Sequence, residues 1–181
     1  MKTATLLKTK QNSVGSSNEF MTPPYAIEPL LSIIPKDWIV WECACGTGNL
    51  INAFQNNGYN TVGTDIYNGW DFTTMDIPFE FDCIVTNPPY TPASIKLAFL
   101  ERVYSIGKPF AFLMPLTTLE GKKRQNLFRQ FGLEVIVLDK RINFETPSGK
   151  GSGAWFPVAW FTWNMNIGKQ LMFYEFKEAI A

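Results

Sequence analysis

Short apolar runs alternate with stretches of helical period along this chain, and the alternation predicts its elements. Trp38-Ile39-Val40-Trp41-Glu42 is apolar to its last residue and ends shortly before Gly46, as a buried strand does. Asn49 to Asn57 places Leu50, Ile51, Ala53 and Phe54 at helical spacing, and Asn57-Gly58 stops it. Thr61 to Asp65 predicts a second strand. Asp82 to Thr86 predicts a third, short and apolar and bounded by Asn-Pro-Pro. Ser94 to Ser105 reads as a helix with Ile95, Ala98, Phe99, Arg102 and Val103 along one side. Phe110 to Met114 is a strand closed by Pro115, and Leu119 to Phe131 a helix. Leu133 to Leu138 and Val158 to Trp163 are further strands, with a flexible Gly/Ser loop, Thr146 to Gly153, between them.

Continuous apolar strands alternating with helices imply an α/β fold, a Rossmann-like sheet covered by helices on both faces. The sheet is expected to be mostly parallel with the last strand antiparallel. The connection before Val158 is too short for a crossover helix, and that forces the reversal. The tail from Lys169 carries Leu171, Phe173 and Phe176 and fits either a strand or a short helix. Residues 1–18 read as a flexible arm and 19–181 as a single domain.

The chain has 181 residues, of which 46% are hydrophobic and 18% charged, enough to bury a core. No run approaches the roughly 18 apolar residues of a membrane helix. Met1 to Glu19 lacks the apolar core of a secretory signal, so a cytoplasmic protein is expected. There is no histidine, which removes His bases, Ser-His-Asp triads and His-ligated metals. Cys43, Cys45 and Cys83 lack zinc-site spacing and read as reduced thiols, so no metal is expected. The formal net charge is zero, but it is unevenly spread. Residues 1–100 carry five basic and nine acidic side chains, whereas residues 122–150 carry seven basic and three acidic. That stretch is either a solvated face or a set of phosphate contacts.

Two constellations carry chemistry. Glu42-Cys43-Ala44-Cys45-Gly46-Thr47-Gly48 joins the first strand to a helix. Its glycines let a ligand approach the backbone, and the spacing fits neither a dinucleotide fingerprint nor a P-loop. Asp65, at the end of the next strand, can accept hydrogen bonds from ribose hydroxyls, and Glu42 can face a cation. A Gly loop with two acids and no phosphate-binding cation favours a nucleoside cofactor without phosphates. Asn87-Pro88-Pro89-Tyr90 follows the third strand directly. Its prolines make a stiff, non-helical platform. The Asn87 amide oxygen, the Pro88 carbonyl and the Tyr90 ring suit a planar group bearing an amino nitrogen.

With these motifs the chain resembles the S-adenosylmethionine-dependent amino-methyltransferases, most closely the compact bacteriophage-type DNA adenine-N6 enzymes. The resemblance spans about residues 19–163. It implies the class I methyltransferase fold, S-adenosylmethionine as cofactor, and catalysis by Asn87, Pro88, Pro89 and Tyr90. The implied cofactor residues are Phe20, Met21, Thr22, Glu42, Cys43, Ala44, Gly46, Gly48, Asp65, Ile66, Asp71, Phe72 and Asn87. A nucleic acid, expected to be DNA, would meet Tyr90, Lys122, Lys123, Arg124, Arg141, Phe144, Lys150 and Phe156. No segment fits a separate target-recognition domain. RNA adenine or protein glutamine as substrate, or an inactive cofactor-binding module, are the alternatives.

Overall fold

The computed structural model describes residues 21–144 and 156–177. The expected arm 1–18, the Gly/Ser loop, Phe20 and Lys150 lie outside the described residues. In chain order the elements are β1 (Ile39–Glu42), α1 (Asn49–Asn56), β2 (Asn60–Gly63), β3 (Cys83–Thr86), α2 (Ala93–Ile106) and β4 (Phe110–Pro115). They continue with α3 (Lys122–Phe131), β5 (Glu134–Leu138), β6 (Val158–Trp163) and β7 (Leu171–Tyr174). Short 3-10 segments cover Pro24–Leu30, Ile66–Asn68 and Leu116–Leu119.

The described strands form one sheet in the order β2-β1-β3-β4-β6-β5-β7. β1 pairs in parallel with β2 and β3, and β3 with β4. β6 runs antiparallel to both β4 and β5, the reversal expected for it. The undecided tail is a strand: β7 pairs in parallel with β5, from Val135↔Leu171 to Leu138↔Tyr174. The reversed strand is therefore the penultimate one, and the parallel direction resumes at the edge.

β3 and β4 are buried along their whole length, which is why they read as unbroken apolar runs. Alternate residues feed two cores. On one face Val40, Cys83, Val85, Ala111, Leu113 and Trp160 pack under α1 and Pro24–Leu30. On the other, Trp41, Ile84, Phe110, Phe112 and Phe161 pack under α2, α3 and the segment 64–82. The N-terminal 3-10 segment is fastened to the sheet by the Trp160 Nε1–H, which donates to the Ala26 carbonyl at 2.9 Å.

Two helices differ from their predicted form. The buried side of α2 is Lys96, Phe99, Leu100, Val103 and Tyr104, turned from the expected stripe, with Ile95, Ala98 and Arg102 only half-buried. Tyr104 draws the helix round, its hydroxyl donating to Gly132 O at 2.8 Å and its ring stacking on Phe131 at 4.9 Å. The predicted helix Leu119–Phe131 is broken at Gly121, whose φ of 98° no L side chain adopts readily, so α3 begins at Lys122.

Trp160→Phe removes the indole donor and part of a fully buried side chain. We expect a loss of about 2–4 kcal/mol in urea unfolding, from an unpaired buried carbonyl plus a cavity. The same change at Trp163, whose indole donates to Phe131 O at an exposed position, should cost less than half as much.

Candidate functional site

From β1 the sheet grows in opposite directions, to β2 on one side and to β3 on the other. That reversal opens a crevice at the carboxyl ends of the strands, the place where open α/β sheets bind ligands. Glu42 closes β1 there and Thr86 closes β3 beside it. The Thr86 hydroxyl donates to Glu42 Oε1 at 3.3 Å. Glu42 Oε2 is buried with no hydrogen-bond partner among the described residues. Burial raises the Glu42 pKa well above the usual carboxylate range; the Thr86 bond opposes the rise and the Asp65 charge adds to it.

Beyond Glu42 the chain is tied to β2. Thr64 N–H donates to Glu42 O at 2.9 Å, and Cys45 N–H donates to Thr64 O at 3.0 Å. Gly46 and Gly48 then take left-handed φ values of 49° and 87°. A Cβ on either would meet nothing within 4 Å, so both turn toward open space. Asp65 holds this loop: its Oδ2 accepts from Gly46 N–H at 2.7 Å and its Oδ1 from Tyr67 N–H at 2.9 Å. Next to it Ile66 leaves 44% of its surface exposed, an apolar flank beside the loop. Burial is the main cause that pushes the thiols up, Cys45 to about 11 and Cys83 to about 12, so both stay protonated. Among the described residues no three His, Cys, Asp or Glu side chains gather as a metal set.

Asn87 leaves β3 next to Glu42, bringing the two motifs together. The Tyr90 hydroxyl lies 2.5 Å from Asn87 Oδ1 and 3.1 Å from the Leu113 carbonyl of β4. One proton is shared between two acceptors, and burial lifts the Tyr90 pKa far above the tyrosine range, so the group remains a neutral donor. These bonds draw the ring down until only 8% of it is exposed. Tyr90 is thus a support for Asn87 more than an open platform. Its ring meets Phe156 edge-to-face at 5.7 Å. Nothing in the sequence marks the Tyr90–Leu113 bond, because it depends on β4 lying beside β3.

Other expected site residues separate. Phe72 is 3% exposed and packs at 5.4 Å on Trp41 and 4.9 Å on Phe99, so it belongs to the core. Half-buried Asp71 folds onto Thr73, accepting from its N–H at 2.9 Å and its hydroxyl at 2.6 Å. Cys43 is buried beneath the loop and Ala44 half-buried. Met21 is half-buried; Thr22 is buried and makes no hydrogen bond to the loop among the described residues. Phe144 is 1% exposed and fills the core under Pro24–Leu30, while Arg141 is exposed. Lys122 and Lys123 are exposed at the start of α3. Arg124 is committed locally, its Nε donating to Thr118 O at 2.9 Å and its Nη2 bonding Glu120 O. Lys140 lies over the Phe176 ring at 4.6 Å, a cation–π contact that takes it out of the basic set.

Comparison with solved structures identifies the fold. The chain superposes with a TM-score of 0.60 on a protein assigned as a class I S-adenosylmethionine-dependent methyltransferase of Listeria monocytogenes, at 13% identity, over 95% of this chain and 70% of that one. It superposes with a TM-score of 0.58 on the methyltransferase subunit of a type I restriction-modification system of Streptococcus thermophilus, at 17% identity, over 95% of this chain and 50% of that one. A type I restriction enzyme's modification subunit of Vibrio vulnificus gives a TM-score of 0.53 at 16% identity, over 98% and 51%. The chain thus spans about half the length of the two restriction-system subunits. No family model matches it, and no curated protein matches it in sequence. The fold is that of the class I methyltransferases.

The Glu42 carboxyl makes a directional test. Its folded pKa is raised, so the folded protein keeps a proton that the unfolded chain releases at lower pH, and stability falls as pH rises toward the folded value. Glu42→Gln removes this slope. The urea midpoint of the variant should gain on wild type as pH rises above the ordinary carboxylate range; a constant difference between the two would contradict the assignment.

Proposed function

We propose that this protein is an S-adenosylmethionine-dependent methyltransferase acting on the N6 amino group of adenine in DNA. The observation that carries the reading is the meeting of Asn87-Pro88-Pro89-Tyr90 with the Glu42–Gly48 loop at the sheet's reversal point, Asn87 Oδ1 held by Tyr90. The residues present fit the cofactor. Gly46 and Gly48 leave open space, Asp65 and exposed Ile66 flank them, and the orphaned Glu42 Oε2 is an acceptor for a cationic group. Two of the matched folds are restriction-modification methyltransferase subunits, which favours DNA.

S-adenosylmethionine, when bound, supplies a methyl group on a cationic sulfur, so no metal is required. The chain's own task is to prepare a poor nucleophile, since an aromatic amine delocalises its lone pair into the ring. Asn87 Oδ1 and the Pro88 carbonyl accept hydrogen bonds from the two amino hydrogens, which favours a pyramidal nitrogen. Oδ1 has a second lone pair, so it accepts the substrate while keeping Tyr90. The prolines fix this acceptor pair before substrate arrives, and preorganised electrostatics and positioning supply the rate. Half-buried Phe156, edge-to-face on Tyr90, offers aromatic surface to a base turned out of the stack.

Asn87→Ala should lower turnover by roughly 100-fold or more while affinity for S-adenosylhomocysteine is kept. Tyr90→Phe removes only the hydroxyl and should lower turnover about tenfold, a barrier change of roughly 1.4 kcal/mol. Near-wild-type turnover in Asn87→Ala would sink the mechanism. Asp65→Ala should instead weaken S-adenosylhomocysteine binding in calorimetry, because the Gly46 amide loses its anchor.

A further inference from the structure

One edge of the sheet is apolar and open. A strand at an edge offers unpaired amides and carbonyls to any further strand, unless charge, proline or a bulge within it blunts the pairing. At one end of the sheet β2 reads Asn60-Thr61-Val62-Gly63, half polar. At the other end β7 reads Leu171-Met172-Phe173-Tyr174, with no charge and no proline, and among the described residues it pairs only with β5. Leu171 is 48% exposed, and Phe173 at 76% is the most exposed large apolar side chain among the described residues. Both share a face with Val135 and Val137, their partners on β5, where the core under α2 and α3 ends.

The bonds to β5 fix which backbone groups face outward. Val135 N–H donates to Gln170 O at 2.9 Å, and Asp139 N–H donates to Tyr174 O at 3.0 Å. Backbone groups alternate in direction along a strand, so Gln170, Met172 and Tyr174 point theirs at β5, and Leu171 and Phe173 point theirs at the open edge. An antiparallel partner must set outward-pointing residues opposite one another, which leaves few registers for two copies of β7. Centred on Leu171, the pairing puts Lys169 opposite Phe173. Centred on Phe173, it puts Leu171 opposite Glu175 and Lys169 opposite Lys177. Centred on Met172, it puts Leu171 opposite Phe173 and Lys169 opposite Glu175, each twice by symmetry. Lys169, Leu171, Phe173 and Glu175 occupy alternate positions and all are exposed. Only the Met172 register matches apolar with apolar and cation with anion throughout.

We infer that β7 is a docking edge for a second copy of this chain, the two β7 strands pairing antiparallel about Met172 and joining two sheets into one across a two-fold axis. Each copy's Phe173 then lies against the other's Leu171, and a Lys169–Glu175 pair closes each end. A foreign strand would have to bring the same alternation of cation, two apolar side chains and acid, which this chain already carries in the order the two-fold demands. β5, β6 and β4 stand between β7 and β3, so the pairing leaves the crevice of each copy open. The inference does not rest on the methyltransferase reading.

Analytical ultracentrifugation of the whole chain across micromolar concentrations tests it. Wild type should pass from monomer to dimer as concentration rises. Phe173→Lys, a change at an exposed position, should raise the dissociation constant by at least about tenfold. Lys169→Glu and Glu175→Lys should each weaken the dimer, because each sets like charges opposite one another at both ends of the pairing. The double variant Lys169→Glu/Glu175→Lys restores opposite charges and should bring the dissociation constant back toward wild type, a rescue that damage to the fold would not give. A wild-type chain that stays monomeric throughout would overturn the pairing and leave the edge to another occupant. A dimer indifferent to Phe173→Lys would overturn it as well, and single charge variants that weaken the dimer without rescue in the double variant would overturn the register.

Discussion

A carboxyl group held out of water at the end of β1 joins the two halves of the site. Glu42 stands where the sheet divides, bonded through Oε1 to Thr86 on β3 and through its backbone carbonyl to Thr64 beyond β2. Its Oε2 has no hydrogen-bond partner among the described residues, and burial raises the Glu42 pKa well above the usual carboxylate range. The Gly loop and Asn87 both leave the sheet within a few residues of it. A neutral Glu42 suits the folded protein alone; an ionised one suits a cationic ligand. The same group that loads the free protein with an unfavourable burial is therefore placed to favour a cation in the crevice.

Support for the amine acceptors comes from the strand beyond. Tyr90 bridges Asn87 to β4, so the acceptor is fixed by the β3–β4 pairing and not only by its prolines. Pre-positioning of this kind is what an amine methylation with no histidine base requires, since the chain must shape the nucleophile rather than deprotonate it. Because β5 runs in the direction of β4 while β6 is reversed, Arg141 and Phe156 come to the carboxyl side.

Much of this was legible in the chain because it is local. Strand runs, the glycine loop and Asn-Pro-Pro-Tyr are written in consecutive residues. What was not legible depends on tertiary neighbours. Phe72 and Phe144 were expected at ligands through the resemblance of Asp71-Phe72 and Arg141 to Phe144 to family motifs, and their packing in the core could be seen only in the fold. Arg124 looked like a free cation until Gly121 broke the helix and turned Thr118 and Glu120 toward it. Tail strand β7 could not be told from a helix because its exposed edge gives Leu171 and Phe173 no clean alternation with polar residues.

The central claim is transfer of a methyl group to an adenine amine. Its most direct measurement is incubation of the purified chain with methyl-labelled S-adenosylmethionine and unmethylated DNA, followed by digestion to nucleosides. The account predicts label in N6-methyldeoxyadenosine. Label only in RNA adenine or in protein glutamine, or no label in any of the three acceptors, would contradict it.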